Sequence, residues 1–241
     1  MRAFLIGGGR GDDTAASHRP FVDALAGTGP VVVYLLDDAD AEPARWSATL
    51  AAAGAARTSV VAVSRQRPPQ PTDLDGAAGV YVAGGLTPAY RDALVDPGTG
   101  WLAAAGAAGL PYAGFSAGAA VAAEQALVGG WRATHGGTEI AICDADFGED
   151  LDALTVRPGL GLVPFLVDVH AAQWGTLNRV MHAVLTRTGP AEGWAIDEHT
   201  TLETTDGVPV AVHGTGAAAR VRRATAETVE ITIHVSGPVH R

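Results

Sequence analysis

Apolar, β-branched runs alternate with alanine-rich amphipathic stretches through the first half of the chain. Runs of that kind, apolar on both faces, read as a parallel sheet covered by helices on either side. The periodicity predicts strands at about 3–7, 30–36, 58–64, 79–83 and 111–115, with helices near 19–27, 41–54, 87–95, 100–108 and 117–126. Arg65-Gln66-Arg67-Pro68-Pro69-Gln70-Pro71 reads as an exposed linker, because proline blocks further pairing. From Gly129 to Asp152 the pattern turns polar and predicts an irregular arm or loop. Val156 to Val169 then reads as a strand, interrupted by Pro158-Gly159, that ends at His170, and a helix follows at about 172–187. From Trp194 to His234, alternation broken by Asp206-Gly207 and Gly214-Thr215-Gly216 predicts an antiparallel extension. The expectation is a single α/β domain over residues 1–241, a mostly parallel sheet sandwiched by helices with a C-terminal antiparallel β extension.

Composition narrows the function. The chain has 241 residues, 47% hydrophobic and only 17% charged, enough to bury a full core. Its 26 acidic residues outweigh 16 basic ones, all arginine, and the resulting charge of −10 argues against nucleic acid as a partner. Without lysine there is neither a Ser-Lys dyad nor Schiff-base chemistry. Cys143 is the only cysteine, so intramolecular disulfides and cysteine metal clusters are excluded, and no metal or cofactor is expected. The first residues read as a short strand with no signal-peptide layout, and no apolar run approaches membrane-spanning length. A cytoplasmic protein without a membrane role is expected, and the apolar composition leaves room for a homodimer.

The candidate chemistry centres on Gly114-Phe115-Ser116-Ala117-Gly118, which lies between Leu110-Pro111-Tyr112-Ala113 and Ala119-Ala120-Val121-Ala122-Ala123. A strand running through a tight, glycine-flanked turn into a helix lifts a serine hydroxyl to the helix N-terminus, where unpaired amides favour a developing negative charge. The same small residues would also serve close strand-to-helix packing. A serine needs a base and amide donors. Among the eight histidines, His170 ends an apolar strand where a parallel sheet presents its ligand edge. His182 reads as a helix-face residue, and His18, His213, His234 and His240 read as solvated. Gly84-Gly85-Leu86-Thr87 follows a strand and opens a helix, so Gly85 and Ala117 are the candidate oxyanion donors. Glu198, in Ile196-Asp197-Glu198, is the first choice to orient the histidine; Asp197 alternates to the opposite face, and Glu124 and Glu139 are fallbacks. Gly7-Gly8-Gly9-Arg10-Gly11 reads as close backbone packing beside the site.

Taken together, Gly7-Gly8-Gly9, Gly84-Gly85-Leu86-Thr87, Gly114-Phe115-Ser116-Ala117-Gly118-Ala119, Asp168-Val169-His170 and Ile196-Asp197-Glu198 resemble, in order and spacing, the serine peptidases that include dipeptidase E and cyanophycinase. The resemblance spans most of the chain. It implies a fold similar to class I glutamine amidotransferase domains (flavodoxin-like), Ser116 as nucleophile, His170 as base, and Gly85 with Ala117 as oxyanion hole. In dipeptidase E the triad acid follows soon after the serine, an offset that here reaches Gly130-Trp131-Arg132 without a carboxylate. The cyanophycinase pattern puts it in the Ile-Asp-Glu segment, hence Glu198. Of the arginines that cyanophycinases carry after the histidine, only Arg179 is in register. Thr87, Asp168, Arg179 and Arg132 are candidate substrate contacts, and Trp131 and Trp174 a candidate apolar wall. The function expected is hydrolysis of a small peptide or isopeptide through an acyl-enzyme. The rivals are an α/β-hydrolase-type esterase, with His213 or His234 as its base, and a non-catalytic amidotransferase-like binding protein.

Overall fold

In the computed structural model, which describes residues 1–11, 14–38, 41–186 and 189–240, the apolar runs of the first half become five parallel strands. In chain order the first elements are β1 (Arg2–Ile6), α1 (Thr14–Asp23), β2 (Val31–Leu36), α2 (Pro43–Ala52), β3 (Thr58–Val63), β4 (Gly79–Val82), α3 (Thr87–Leu94), α4 (Gly100–Ala107), β5 (Tyr112–Phe115) and α5 (Ala117–Ala120). Every residue of β2 is buried, as an all-apolar strand covered on both faces requires. Proline in the first turn of α2 and α3 fits a position whose N–H has no helical partner. The linker at 65–71 leads into a short 3₁₀ turn at Pro71–Leu74.

The second half adds β6 (Gln125–Gly129), β7 (Arg132–His135), β8 (Thr138–Ala141), β9 (Thr155–Pro158), β10 (Leu166–Val169), α6 (Ala171–Trp174), α7 (Leu177–Leu185), β11 (Glu192–Ile196), β12 (Thr200–Thr205), β13 (Val208–Gly214), β14 (Ala218–Arg223), β15 (Val229–His234) and β16 (Gly237–Pro238). The main sheet has the order β16-β13-β12-β1-β5-β4-β2-β3, parallel from β1 through β3 and antiparallel from β1 out to β16. A second sheet, β10-β11-β14-β15, carries α7 against it. The C-terminal antiparallel extension is therefore present but divided between two sheets, which the alternation pattern did not distinguish. Helix α7 buries Val180, Ala183 and Val184 at helical spacing in a cluster with Leu166, Ala195 and Val221.

Four features differ from expectation. Helix α1 begins at Thr14 instead of about 19 and holds Pro20 in its interior. Helix α5 stops at Ala120 instead of continuing to about 126, because the carbonyls of Val121, Ala122, Ala123 and Glu124 accept amides from Leu160, Leu162, Gly161 and Gly159. The same bonds divide the strand expected over 156–169 into β9 and β10. The arm at 129–152 is ordered into the β7–β8 hairpin and a 3₁₀ turn at Ala145–Phe147. Position 187, where the helix after His170 was expected to end, lies outside the described residues.

Candidate active site

The glycine-rich end of β1 gathers the site. The carbonyls of Ile6, Gly7 and Gly8 accept, in order, the amides of Ser116, His170 and His199, each at 2.9 Å. Successive carbonyls at one strand end thus hold the segments after β5, β10 and β11 together, at the junction of the two sheets. No side chain fits there: a Cβ on Gly7 would lie 2.1 Å from the Asp197 carbonyl oxygen, and one on Gly8 would lie 2.1 Å from the His170 ring. The expected packing role of Gly7-Gly8-Gly9 is what the structure contains.

Ser116 sits between β5 and α5 with φ 51° and ψ −114°, a conformation costly for a residue with a Cβ. The motif's outer glycines permit the turn by contact: a Cβ on Gly114 would lie 2.2 Å from the Gly118 carbonyl oxygen, and one on Gly118 would lie 2.3 Å from that of Val82. The hydroxyl is nearly buried and lies 2.8 Å from His170 Nε2. On the other edge of the imidazole, Nδ1 lies 2.7 Å from Glu198 Oε1. Burial pushes the His170 pKa below its usual value, and the Glu198 carboxylate opposes that shift without cancelling it. Asp197, beside Glu198, serves backbone instead, accepting the amides of Ala172 (3.0 Å) and Ala217 (2.9 Å).

These three side chains line a cavity of about 710 Å³ together with Gly85, Phe147, Glu149 and Trp174. Among the described residues, the N–H groups of Gly85 and Ala117 donate to no protein acceptor. Above the imidazole the Trp174 indole stacks with ring centroids 3.6 Å apart and planes 10° apart, and Phe147 stacks on the far face of Trp174 at 4.7 Å. Glu149 Oε2 accepts the Thr87 amide at 2.9 Å, and burial raises its pKa. Neither Phe147 nor Glu149 carries a sequence signal of this role, since both lie in the segment that reads only as polar.

The expected substrate contacts lie elsewhere. Arg179 and Asp168 are almost wholly buried and face each other: Arg179 Nε and Nη2 donate to the two Asp168 carboxylate oxygens at 2.7 and 2.8 Å, and Nη1 donates to the Phe147 carbonyl at 2.8 Å. That leaves Arg179 no fork for a ligand. Arg132 lies over the Trp131 ring and pairs with Glu139 on the β7–β8 hairpin, outside the cavity lining. Thr87 is buried, with its amide on Glu149. Glu124 is exposed, and neither it nor Glu139 bonds His170. His213 pairs with Glu203 at 2.8 Å, and neither it nor His234 lines the cavity. His18, expected to be solvated, is fully buried between Thr14 and Tyr81, with its pKa lowered to about 4 by burial.

No helix among the described residues is long and apolar enough to cross a membrane, and no described group of histidine, cysteine or acidic residues could hold a metal ion. No curated protein matches the chain in sequence. Among solved structures it resembles a peptidase from an acI-B1 Actinobacterium at 15% identity and TM-score 0.67, over 99% of this chain and 96% of that one, a likeness of fold. A provisionally named peptidase E protein from Listeria monocytogenes EGD-e aligns at 17% identity and TM-score 0.48 over 98% of each chain. In sequence, residues 4–209 match peptidase family S51, a span that takes in most of β1, the serine elbow, His170 and Glu198. The chain belongs to peptidase family S51.

Proposed function

We propose that the protein is a serine-type peptidase that hydrolyses a small peptide or isopeptide through an acyl-enzyme, with Ser116 as nucleophile, His170 as general base and acid, and Glu198 as the acid that orients it. The observation that carries this reading is the unbroken line Ser116 Oγ, His170 Nε2, His170 Nδ1, Glu198 Oε1, with links of 2.8 and 2.7 Å. A serine hydroxyl at neutral pH needs a base at that distance, and the base needs a carboxylate that fixes its tautomer and stabilises its protonated form.

His170 Nε2 takes the Ser116 proton as Oγ attacks the scissile carbonyl. The carbonyl electrons move onto oxygen, which receives hydrogen bonds from the Gly85 and Ala117 amides, both without a protein acceptor among the described residues. Collapse breaks the C–N bond, His170 gives its proton to the leaving amine, and Ser116 is left as an ester. Water then repeats the sequence, with His170 as base and Ser116 as leaving group. Lowered basicity keeps His170 neutral and ready to accept a proton at neutral pH. With Arg179 and Arg132 engaged within the protein, neither supports recognition of a substrate carboxylate.

The test is fluorophosphonate treatment of the purified protein, followed by peptide mapping. A single adduct on Ser116, abolished in His170→Ala, is the expected result. An adduct elsewhere, or none, overturns the proposal.

A further inference from the structure

The imidazole of His170 has three neighbours of different kinds. Ser116 and Glu198 lie at its two nitrogen edges, and the Trp174 indole covers its face at 3.6 Å, nearly parallel. The indole is itself held from behind. Phe147 stacks on it with planes 6° apart, and the carbonyl of Phe147 is bonded to Arg179, which is fixed by the buried Asp168 carboxylate. A buried, bidentate pair has little freedom to shift, so the stack Phe147, Trp174, His170 is clamped at its outer end.

Resting on the peptidase reading, we infer that Trp174 is a positioning residue for the reaction: its indole keeps the His170 ring in line with Ser116 and Glu198 and stabilises the imidazolium that forms when Ser116 gives up its proton. The physical basis is the negative face of the indole, which attracts a cation most strongly where water is excluded. His170 has a particular need for it, because burial opposes its protonated form. The charged groups acting on the imidazole are Glu198 from the turn after β11 and Asp168 from β10, which favour the cation, and Arg179 from α7, which opposes it. Asp168 and Arg179 act in opposite senses, so Glu198 is the largest favourable charge and the indole face adds to it.

The test compares Trp174→Leu with the parent enzyme. Leucine keeps the face covered and apolar but removes the π-system. Two readouts are taken: the His170 pKa in the resting protein by NMR titration of the imidazole, and kcat and KM on a peptide substrate. The expected result is a His170 pKa lower by about half a unit to one unit, with kcat down about tenfold and KM changed much less. Trp174→Phe, which keeps a weaker π-face, is expected to lie between the two and serves if the leucine variant fails to fold. An unchanged or raised His170 pKa in whichever variant is folded overturns the inference. Because the titration needs no turnover, a failure here is distinct from failure of the peptidase reading, which the Ser116 adduct decides.

Discussion

Ser116 and His170 share a positive φ, 51° and 54°: each follows a strand, each opens a four-residue helix, and their amides bond to consecutive carbonyls, Ile6 and Gly7. Left-handed backbone at a residue with a Cβ costs on the order of 1–3 kcal/mol and persists only where surrounding bonds impose it. Both candidate catalytic residues are therefore held by the end of β1, not by their own preferences.

Stability and activity should separate at Ser116. Glycine adopts positive φ without the Cβ penalty, so Ser116→Gly is expected to be more stable than Ser116→Ala by about 1 kcal/mol, with both inactive toward peptides. Denaturant melts of the two variants check the difference. Equal stabilities would mean that the turn stores no strain.

Gly8 is expected to be far less replaceable than Gly11, although both have positive φ. In Gly8→Ala the new methyl would meet the His170 ring at 2.1 Å on a backbone with φ 110°, whereas Gly11→Ala, with φ 97°, meets open space. Overpacking and backbone strain together put the cost of the first at about 2–5 kcal/mol, and strain alone puts the second at about 1–2. Thermal unfolding gives the ranking, and fluorophosphonate labelling should be lost only in Gly8→Ala.

These contacts mark how much of the molecule was legible in the sequence. The parallel core was, because strands buried on both faces must be apolar throughout, as Val31–Leu36 is. So was the elbow, whose glycines are dictated by contacts with Gly118 and Val82. Glu198 could be singled out because it closes the apolar run that becomes β11 and matches the Ile-Asp-Glu pattern, although strand alternation is not what separates it from Asp197, since both lie in the turn past Ile196. Phe147 and Glu149 could not be read, since a polar loop carries no periodicity and the side chains it directs inward depend on long-range bonds such as Arg179 to Phe147. Arg179 misled for a related reason: an arginine in register with a substrate site looks the same in sequence whether its fork meets a ligand or a buried aspartate.

Glu198→Gln should lower kcat/KM by about 10²–10⁴-fold, since the amide can still bond Nδ1 but no longer stabilises the imidazolium. The pH profile adds a sign. The His170 pKa already lies below its usual 6.5, and Glu198 is the largest influence raising it. The acid limb of the parent enzyme is thus expected below 6.5, and that of Glu198→Gln lower still. A limb that moves up in the variant would argue against Glu198 as the partner.

The buried Asp168–Arg179 pair makes a prediction opposite to that for a substrate site. Removing one partner, as in Arg179→Met, leaves an uncompensated buried carboxylate and is expected to cost about 3–5 kcal/mol. Removing both, in Asp168→Leu/Arg179→Met, should recover much of that loss. Denaturant unfolding of these proteins together with Asp168→Leu alone completes the cycle and gives the coupling. Were Arg179 a ligand contact instead, its replacement would raise KM with little effect on stability.

His18 should make the fold acid-sensitive in a defined window. Its ring nitrogens are bonded to Thr14 O and Tyr81 Oη, and its face lies against Phe115, the residue before the proposed nucleophile. Burial lowers its pKa from 6.5 to about 4 in the folded protein. Below pH 6.5 the unfolded chain therefore binds a proton that the folded one refuses, and stability is lost as pH falls from about 6.5 to about 4, with no further contribution below that. The loss attributable to this residue is about 3 kcal/mol by pH 4. His18→Gln, which keeps a polar partner for Tyr81 but cannot titrate, is expected to be less stable at pH 7.5 and to lose less on acidification. Urea melts at pH 7.5, 5.5 and 4.5 measure both slopes. Parallel slopes for the two proteins would show that His18 is protonated without cost, and would assign the acid sensitivity to other groups such as His170, His182 and His234, whose pKa values are lowered in the same direction.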